Sequence, residues 1–335
     1  MSVAIRAREA GLPFNAPDAD IILRSSDGVN FRTYRSYLTR TLHGFDGILH
    51  DGHLPGIGNA EEAQDGLPVI TLPESSAVLD LFLRVLFPAE LGCPPMKDNI
   101  DLLADVVRSL SKYIVKNFPR SVYDALMAAA SKEPERVYAI ACRYNAFPDI
   151  ITAAAKYTLL NPRRLDNLSM AAVAEMSGPQ YHALTMYQLA CRDAAKTACQ
   201  PYYINTSLND TPGIQAHVAQ QCRCRLDPEP VHLEYVPGPA EDPEEWGASA
   251  CLLPFWLAQY LKDVQQGIGS SPKICGEVAL KAKCIVTAIE AASACPGCCK
   301  ETEKFVAFAH ELSKWIDEAF AEVKFEGIEG NALIN

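Results

Sequence analysis

The hydrophobic pattern of the chain changes from short β-type runs to a helical period near residue 98. Before that point, runs of branched apolar residues predict three strands, the first two joined by a tight Ser-Asp-Gly turn at 26–28. The strands are expected at residues 20–25, 29–34 and 67–72. Short helices are expected at residues 36–42 and 78–86. Ser75 or Ser76 can cap the second helix, and residues 46–66, rich in Gly, His and acidic side chains, predict a long polar loop.

Beyond residue 98 the apolar residues recur at spacings of three and four, which predicts helices. They are expected at about 98–114, 119–130, 134–145, 148–160, 169–176, 179–199, 274–294 and 299–324. Residues 201–248 are rich in proline and acidic side chains and predict an extended connector. The pattern therefore predicts an α+β fold, with a short mixed sheet capped by helices at the N-terminus and an all-helical region after it.

The charge and composition of the chain disfavour some classes of function. Among 335 residues, 30 Lys and Arg stand against 41 Asp and Glu, which gives a net charge of −11 and disfavours nucleic-acid binding through phosphate neutralisation. The first residues show no secretory signal, and no apolar run is long enough to cross a membrane. Without a secretory signal or a membrane span, the twelve cysteines are expected to be reduced thiols. We therefore expect an intracellular protein, cytoplasmic or nuclear, that binds neither nucleic acid directly nor a membrane.

Five short pieces of sequence near the N-terminus follow one another in an order that is typical of one domain family. They are an acidic residue pair and strand at 18–23, a hairpin at 26–31, a strand-to-helix step at 31–38, a strand at 67–72 and a helix at 78–87. Over residues 15–125 the chain therefore resembles a BTB/POZ domain. Residues 178–184 and 295–298 resemble parts of the BTB-domain proteins that fungi carry in large numbers. The chain departs from the family pattern in having Tyr34 where a His is usual, and in the insertion between Phe45 and Leu67.

The resemblance implies a module for protein–protein interaction without catalysis. BTB domains dimerise or act as adaptors, and some recruit cullin-type ubiquitin ligases. The implied partners are a second copy of the chain, another BTB protein or a cullin-type scaffold. The corresponding division of the chain is a BTB/POZ-like dimerisation domain at 15–125, a helical extension at 126–200, the proline-rich acidic connector at 201–248 and a C-terminal helical pair at 249–325.

The resemblance also singles out one charge pair. Asp20 matches an acidic residue of the family that pairs with the basic position filled here by Arg35, in a partly buried ion pair at the dimer seam. Breaking one side of such a pair is costly because the partner charge stays desolvated. The alternative is that Asp20 only caps a turn and that Arg35 is a solvated side chain.

Cysteine is the residue class that could carry chemistry. Cys295 and Cys298 flank Pro-Gly between two predicted helices, a knuckle that can aim two thiolates at one zinc ion. Cys222 and Cys224 could supply two further ligands. His217 or Cys299 could substitute in this structural zinc site. The alternative is that these cysteines are small buried apolar residues, which is the expectation for the seven other cysteines spread singly along the chain.

Enzyme signatures are incomplete. His232-Leu-Glu234 before Cys295 imitates a zinc deaminase, but the proline before the first Cys is replaced and the gap of 63 residues is too long. His310-Glu311 begins a metalloprotease motif, but Lys314 stands in place of the second His. We therefore expect no catalysis. The alternatives left open are a metal-dependent enzyme that uses the four-cysteine cluster, and a transcriptional regulator, although no zinc-finger array or basic helix supports the latter.

Overall fold

The computed structural model describes residues 8–45, 62–87, 96, 99–144, 147–160, 169–200, 254–271, 273–296, 298–299 and 302–325. In these residues the protein is mixed α/β, with one small sheet and many helices. The strands are β1 (Arg8–Glu9), β2 (Ile21–Arg24), β3 (Val29–Thr33), β4 (Glu62–Gln64) and β5 (Leu67–Thr71). The helices before residue 200 are α1 (Arg35–Thr41), α2 (Ser76–Leu86), α3 (Ile100–Lys112), α4 (Arg120–Ala130), α5 (Pro134–Tyr144), α6 (Pro148–Leu160), α7 (Met170–Glu175) and α8 (Gly178–Thr197). After residue 253 follow α9 (Phe255–Ser270), a 3₁₀ helix (Gly276–Leu280), α10 (Ala282–Ser293) and α11 (Thr302–Ala321).

The sheet is mixed, with the strand order β1-β3-β2-β5-β4. Strands β2 and β3 form the predicted antiparallel hairpin, whereas β5 runs parallel to β2 with Val69 beside Ile22. Strand β2 is central, and three consecutive residues, Ile21, Ile22 and Leu23, are fully buried. A strand buried on both faces loses the polar alternation of a surface strand, which explains its continuous apolar run.

Two strands were not predicted. Strand β1 has two residues and pairs parallel with β3. Strand β4 pairs antiparallel with β5, so the prediction of one polar loop over 46–66 is wrong at its C-terminal end. Asp65 and Gly66 both have positive φ, 53° and 79°, as the turn of a tight hairpin requires. The Asp-Gly pair at this turn was the available sequence signal.

Backbone contacts divide the chain into two units. The first contains the described residues up to Thr158 and residues 169–181, and the second contains residues 159–160, 182–200 and the described residues from 254 to 325. The predicted domain boundaries at 125, 200 and 248 remain predictions, and the connector 201–248 lies outside the described residues.

The first unit has its core between the sheet and the helices. Helix α3 packs against α2, α4 and α5, and α5 also contacts α7. The apolar stripe predicted from Ile100 to Ile114 is buried at Leu103, Val106, Val107, Leu110 and Tyr113, whereas Ile114 is 58% exposed. Helix α2 has Ser75 as its N-cap, with the hydroxyl accepting from the N–H of Val78 at 3.5 Å. Helix α2 also has support from the hairpin turn, because the Asp27 carboxylate accepts from the N–H of Ser76 at 2.8 Å.

The second unit contains more elements at its C-terminal end than the helical pair that was predicted. Helix α9 packs against α10, and the 3₁₀ helix packs against α11. The helix predicted over 274–294 is two elements, because the chain at Gly276 is drawn against α11 before α10 begins at Ala282. Helix α11 buries an apolar stripe consisting of Phe305, Phe308, Ala309, Leu312 and Ile316. Within the described part of the chain, no helix is both long and apolar enough to span a bilayer.

Candidate interaction groove and thiol cluster

A groove of about 380 Å³ lies on the first unit, where the ends of α1 and α2 meet the connection between α3 and α4. Its apolar lining consists of Val85, Leu86, Val115, Phe118 and Pro119. Its cationic lining consists of Arg40, Lys116 and Arg120. Among the described residues that line it, none is acidic. We call this surface the basic groove.

The three cationic side chains of the basic groove make different contacts with their neighbours. The Lys116 ammonium donates to the carbonyl oxygen of Thr39 at 3.2 Å, which holds the side chain near the end of α1. Arg120 lies over the Tyr123 ring, 4.3 Å from its centroid, and pairs with exposed Asp124 at 3.0 Å. Arg40 is exposed and makes no ion pair or hydrogen bond with any described residue. The groove therefore presents at least one cation, Arg40, that no described side chain neutralises.

A strained turn positions the apolar floor of the groove. Ile114 has φ of 54°, a left-handed conformation that is unusual for a β-branched residue and costs on the order of 1–3 kcal/mol. The carbonyl oxygens of Tyr113 and Ile114 accept the N–H groups of Gly44 and His43, each at 3.0 Å. Gly44 is required there because a Cβ would lie 2.8 Å from the Tyr113 oxygen. These contacts place Val115 and the residues after it beside the end of α1.

One polar atom of the groove has no partner. The hydroxyl oxygen of Ser121, in the first turn of α4, is buried and makes no hydrogen bond in the structure. A buried hydroxyl normally has a partner, since leaving it unpaired costs free energy. Ser121 therefore gives the groove one donor and acceptor position among its apolar residues.

The predicted charge pair takes a different form within one chain. The Asp20 carboxylate accepts from the backbone N–H of Arg35 at 2.7 Å, and both side chains are exposed. No ion pair joins the two side chains in the described part of the protein. The geometry corresponds to the alternative interpretation, in which Asp20 caps a turn. The role of these residues at a dimer seam remains a prediction, since a second chain is needed to form that seam.

The predicted zinc ligands are only partly within the described residues. His217, Cys222 and Cys224 lie outside them, so the four-cysteine site remains a prediction. Cys295, Cys298 and Cys299 cluster at the turn between α10 and α11, with Cys298 fully buried and Cys299 exposed. No group of three or more Cys, His, Asp or Glu side chains within the described ranges is placed to hold a metal ion.

Among the singly placed cysteines that are described, Cys191 and Cys199 occupy the expected core positions, whereas Cys142, Cys275 and Cys284 are only half-buried. Cys191 and Cys199 are fully buried, as the core interpretation predicts. Burial raises the pKa of Cys142 and Cys199 to about 12, so both remain protonated thiols at neutral pH. Cys275 and Cys284 are half-buried, and burial raises the pKa of each. Cys93 and Cys251 lie outside the described residues.

Sequence reasoning did not identify the basic groove. The available signal was the alternation of basic and apolar residues in Lys116-Asn-Phe118-Pro-Arg120. The proximity of Arg40 to Lys116 and Arg120 could not be predicted from the sequence. Arg40 precedes them by about seventy-five positions and lies near them only in the folded chain.

Comparison with known proteins finds no family model that matches the chain, and no curated protein matches it. The BTB/POZ resemblance therefore rests on the five N-terminal pieces of sequence alone.

Proposed function

We propose that the N-terminal unit is a protein-interaction module of the BTB/POZ kind and that it binds a partner segment in the basic groove. The proposal rests mainly on one observation, the combination of an apolar floor with three cations and, among the described lining residues, no acidic side chain. An interaction site of this kind needs apolar area for affinity and charge for selectivity. It fits a segment that carries both apolar and acidic side chains.

The chemistry of the groove supports a peptide over a nucleic acid. A phosphate backbone is recognised by a wide basic surface, whereas this groove has a five-residue apolar floor and the chain has a net charge of −11. The buried Ser121 hydroxyl adds a hydrogen-bonding position that a peptide backbone could satisfy. No step of catalysis is part of the proposal.

Dimerisation is the second part of the proposal and follows from the BTB/POZ resemblance. Light scattering of the full chain should give a mass near twice 36.6 kDa. A strictly monomeric protein at tens of micromolar would refute this part without affecting the groove, since the groove is built within one chain.

Fluorescence anisotropy with short labelled peptides tests the groove. The probe peptides alternate Leu or Phe with Glu, and matched peptides carry Lys in place of Glu. We expect binding of the acidic peptides only, weakened by salt because part of the attraction is between charges.

The variant Arg40→Glu should weaken binding about tenfold, since it places a like charge against the peptide. Lys132→Glu, an exposed change outside the groove lining, is the matched control. Equal binding of both peptide types, or equal effects of both variants, would refute the proposal.

A further inference from the structure

One turn of the second unit carries three cysteine thiols, and the buried indole of Trp256 lies beside it. The backbone N–H of Cys298 donates to the carbonyl oxygen of Cys295 at 3.1 Å, and the N–H of Cys299 donates to the same oxygen at 3.0 Å. A turn closed in this way brings the Cα atoms of its first and fourth residues within about 7 Å. A disulfide spans Cα separations of about 4.4–6.8 Å, so a turn of this kind brings Cys295 and Cys298 near the range in which one can form.

The cysteines at this turn differ in access. Cys298 is fully buried, Cys295 is half-buried and Cys299 is exposed. The Cys299 thiol is directed to the carbonyl oxygen of Pro296, 3.3 Å away. A reagent from solvent therefore reaches Cys299 and Cys295 more readily than it reaches Cys298.

The indole N–H of Trp256 is the second observation at this site. Trp256 is 4% exposed, and its Nε1 is buried without a hydrogen bond of ordinary geometry. An indole N–H can only donate, and a buried donor without an acceptor is costly. The Trp256 ring packs edge-on against Phe305, with ring centroids 5.2 Å apart, which fixes its orientation.

The same indole acts on Cys298. Burial raises the pKa of the Cys298 thiol, the Trp256 N–H opposes this by favouring the thiolate, and Cys295 raises it further. The Trp256 N–H and the Cys298 sulfur therefore lie close together. Three features therefore coincide at one point: a partly accessible thiol, a buried thiol and a buried indole N–H beside it.

We propose that Cys295 and Cys298 form a dithiol exchange site for small-molecule disulfides, with Cys295 as the entering thiol and Cys298 as the resolving thiol held by Trp256. The chemical class of substrate is a low-molecular-weight disulfide such as glutathione disulfide. This site uses only two cysteines and does not require the zinc ligands outside the described residues.

The exchange proceeds in two balanced steps. The Cys295 thiolate attacks one sulfur of glutathione disulfide, so that a mixed disulfide forms on Cys295 and one glutathione thiolate leaves with the proton that Cys295 lost. The Cys298 thiolate then attacks the Cys295 sulfur, forms the intramolecular disulfide and releases the second glutathione, which takes up the proton from Cys298. Two protein thiols are oxidised by two electrons, and one glutathione disulfide is reduced to two thiols.

The test uses the full chain in buffers of graded glutathione and glutathione disulfide, followed by acid quenching, alkylation and peptide mass spectrometry. We expect a loss of two hydrogens that maps to a bond between Cys295 and Cys298. The variant Cys298→Ser should accumulate the glutathione adduct on Cys295, because the second step is blocked. Cys295→Ser should form neither species, and Cys299→Ser, the matched control at the same turn, should behave as the parent protein.

A separate variant tests the role of Trp256 through the rate of the second step. Trp256→Phe keeps the ring but removes the donor, so it should slow the second step about tenfold and leave the first step unchanged. Circular dichroism confirms that each variant is folded. Oxidation that maps to Cys299, or glutathione adducts spread evenly over all cysteines, would overturn the proposal, as would a Cys298→Ser protein that accumulates no adduct.

Discussion

The carboxylate of Asp20 accepts the backbone N–H of Arg35 at 2.7 Å, at the first residue of α1. The N-cap residue of this helix, Tyr34, makes no side-chain cap. Its hydroxyl instead donates to Asp18 at 2.8 Å. An acidic side chain beside β2 therefore does the capping that the helix lacks locally, and it also places a negative charge at the positive end of the helix.

This contact predicts unequal effects of two single changes. Asp20→Ala should lower the free energy of unfolding by about 1 kcal/mol, the usual effect of losing a cap. Arg35→Ala should change it by less than about 0.5 kcal/mol, since only its backbone is used. Urea unfolding followed by circular dichroism measures both. If the two variants lose equal stability, the side chains interact as an ion pair and the capping interpretation is wrong.

Asp27 should give the protein part of its sensitivity to acid. Its carboxylate accepts the Ser76 hydroxyl at 2.7 Å and the Ser76 N–H at 2.8 Å. The hydrogen bond from the Ser76 side chain is the main reason that the pKa of Asp27 falls from 3.8 to about 2, and a bond from Ser25 assists. Because the folded pKa is depressed, this contribution to stability is complete above pH 3.8 and is lost as the pH falls through about 2.

The measurement for Asp27 is urea unfolding at a series of pH values. Asp27→Asn should remove the part of the pH dependence that lies between pH 3.8 and about 2. Asp193→Asn, an exposed change on α8, is the control and should leave the acid slope as it is. An unchanged slope in Asp27→Asn would show that other carboxylates determine it.

The elements that could be predicted are those with a local signal. The Asp27-Gly28 hairpin and the α3 stripe follow from neighbouring residues, so their positions are correct to within about two residues. Strand β1 was missed because two residues carry no periodicity, and its existence depends on pairing with β3. The basic groove was missed for a related reason, since Arg40 approaches Lys116 only in three dimensions. Burial of Glu175 could not be anticipated either, because glutamate is almost always exposed unless it is paired.

Glu175 should be a strong determinant of stability in the first unit. It is 6% exposed, and its carboxylate lies 3.0 Å from Arg108 and 3.7 Å from Arg136. Glu175→Ala leaves the mostly buried Arg136 without this partner and should cost about 3 kcal/mol. Arg143→Ala is the control, because Arg143 is half exposed and lies 4.0 Å from Glu175, and it should cost less than about 1 kcal/mol. Thermal or urea unfolding measures the stability of both variants. Equal losses of stability would show that the buried contacts of Glu175 contribute no more than the exposed one.

Glu74 and Tyr113 should be energetically coupled. The Tyr113 hydroxyl, on a side chain that is 1% exposed, donates to Glu74 at 2.6 Å, and Lys112 donates to the other carboxylate oxygen at 2.9 Å. Tyr113→Phe removes only the hydroxyl and should cost about 1 kcal/mol. Glu74→Ala removes the acceptor of a buried hydroxyl, which keeps only the Lys112 ammonium at 3.1 Å, and should cost about 2 kcal/mol. The double variant should cost less than the sum, which a double-mutant cycle by urea unfolding measures. Strict additivity would show that the hydrogen bond contributes nothing.

Gly276 should be the least replaceable small residue of the second unit. Its N–H donates to the Asp317 carboxylate at 2.7 Å, and this bond draws the start of the 3₁₀ helix onto α11. A Cβ at this position would penetrate the backbone carbonyl of Ser313 on the same helix. Backbone atoms of a packed helix cannot move aside as a flexible side chain can, so Gly276→Ala should cost about 3 kcal/mol, the upper range for overpacking.

Gly178→Ala is the matched control, since a Cβ there meets nothing within 4 Å and alanine favours the helix that begins at this residue. Urea unfolding of both variants tests the argument, and a Gly276→Ala protein as stable as Gly178→Ala would show that α11 does not lie against the 3₁₀ helix at this distance.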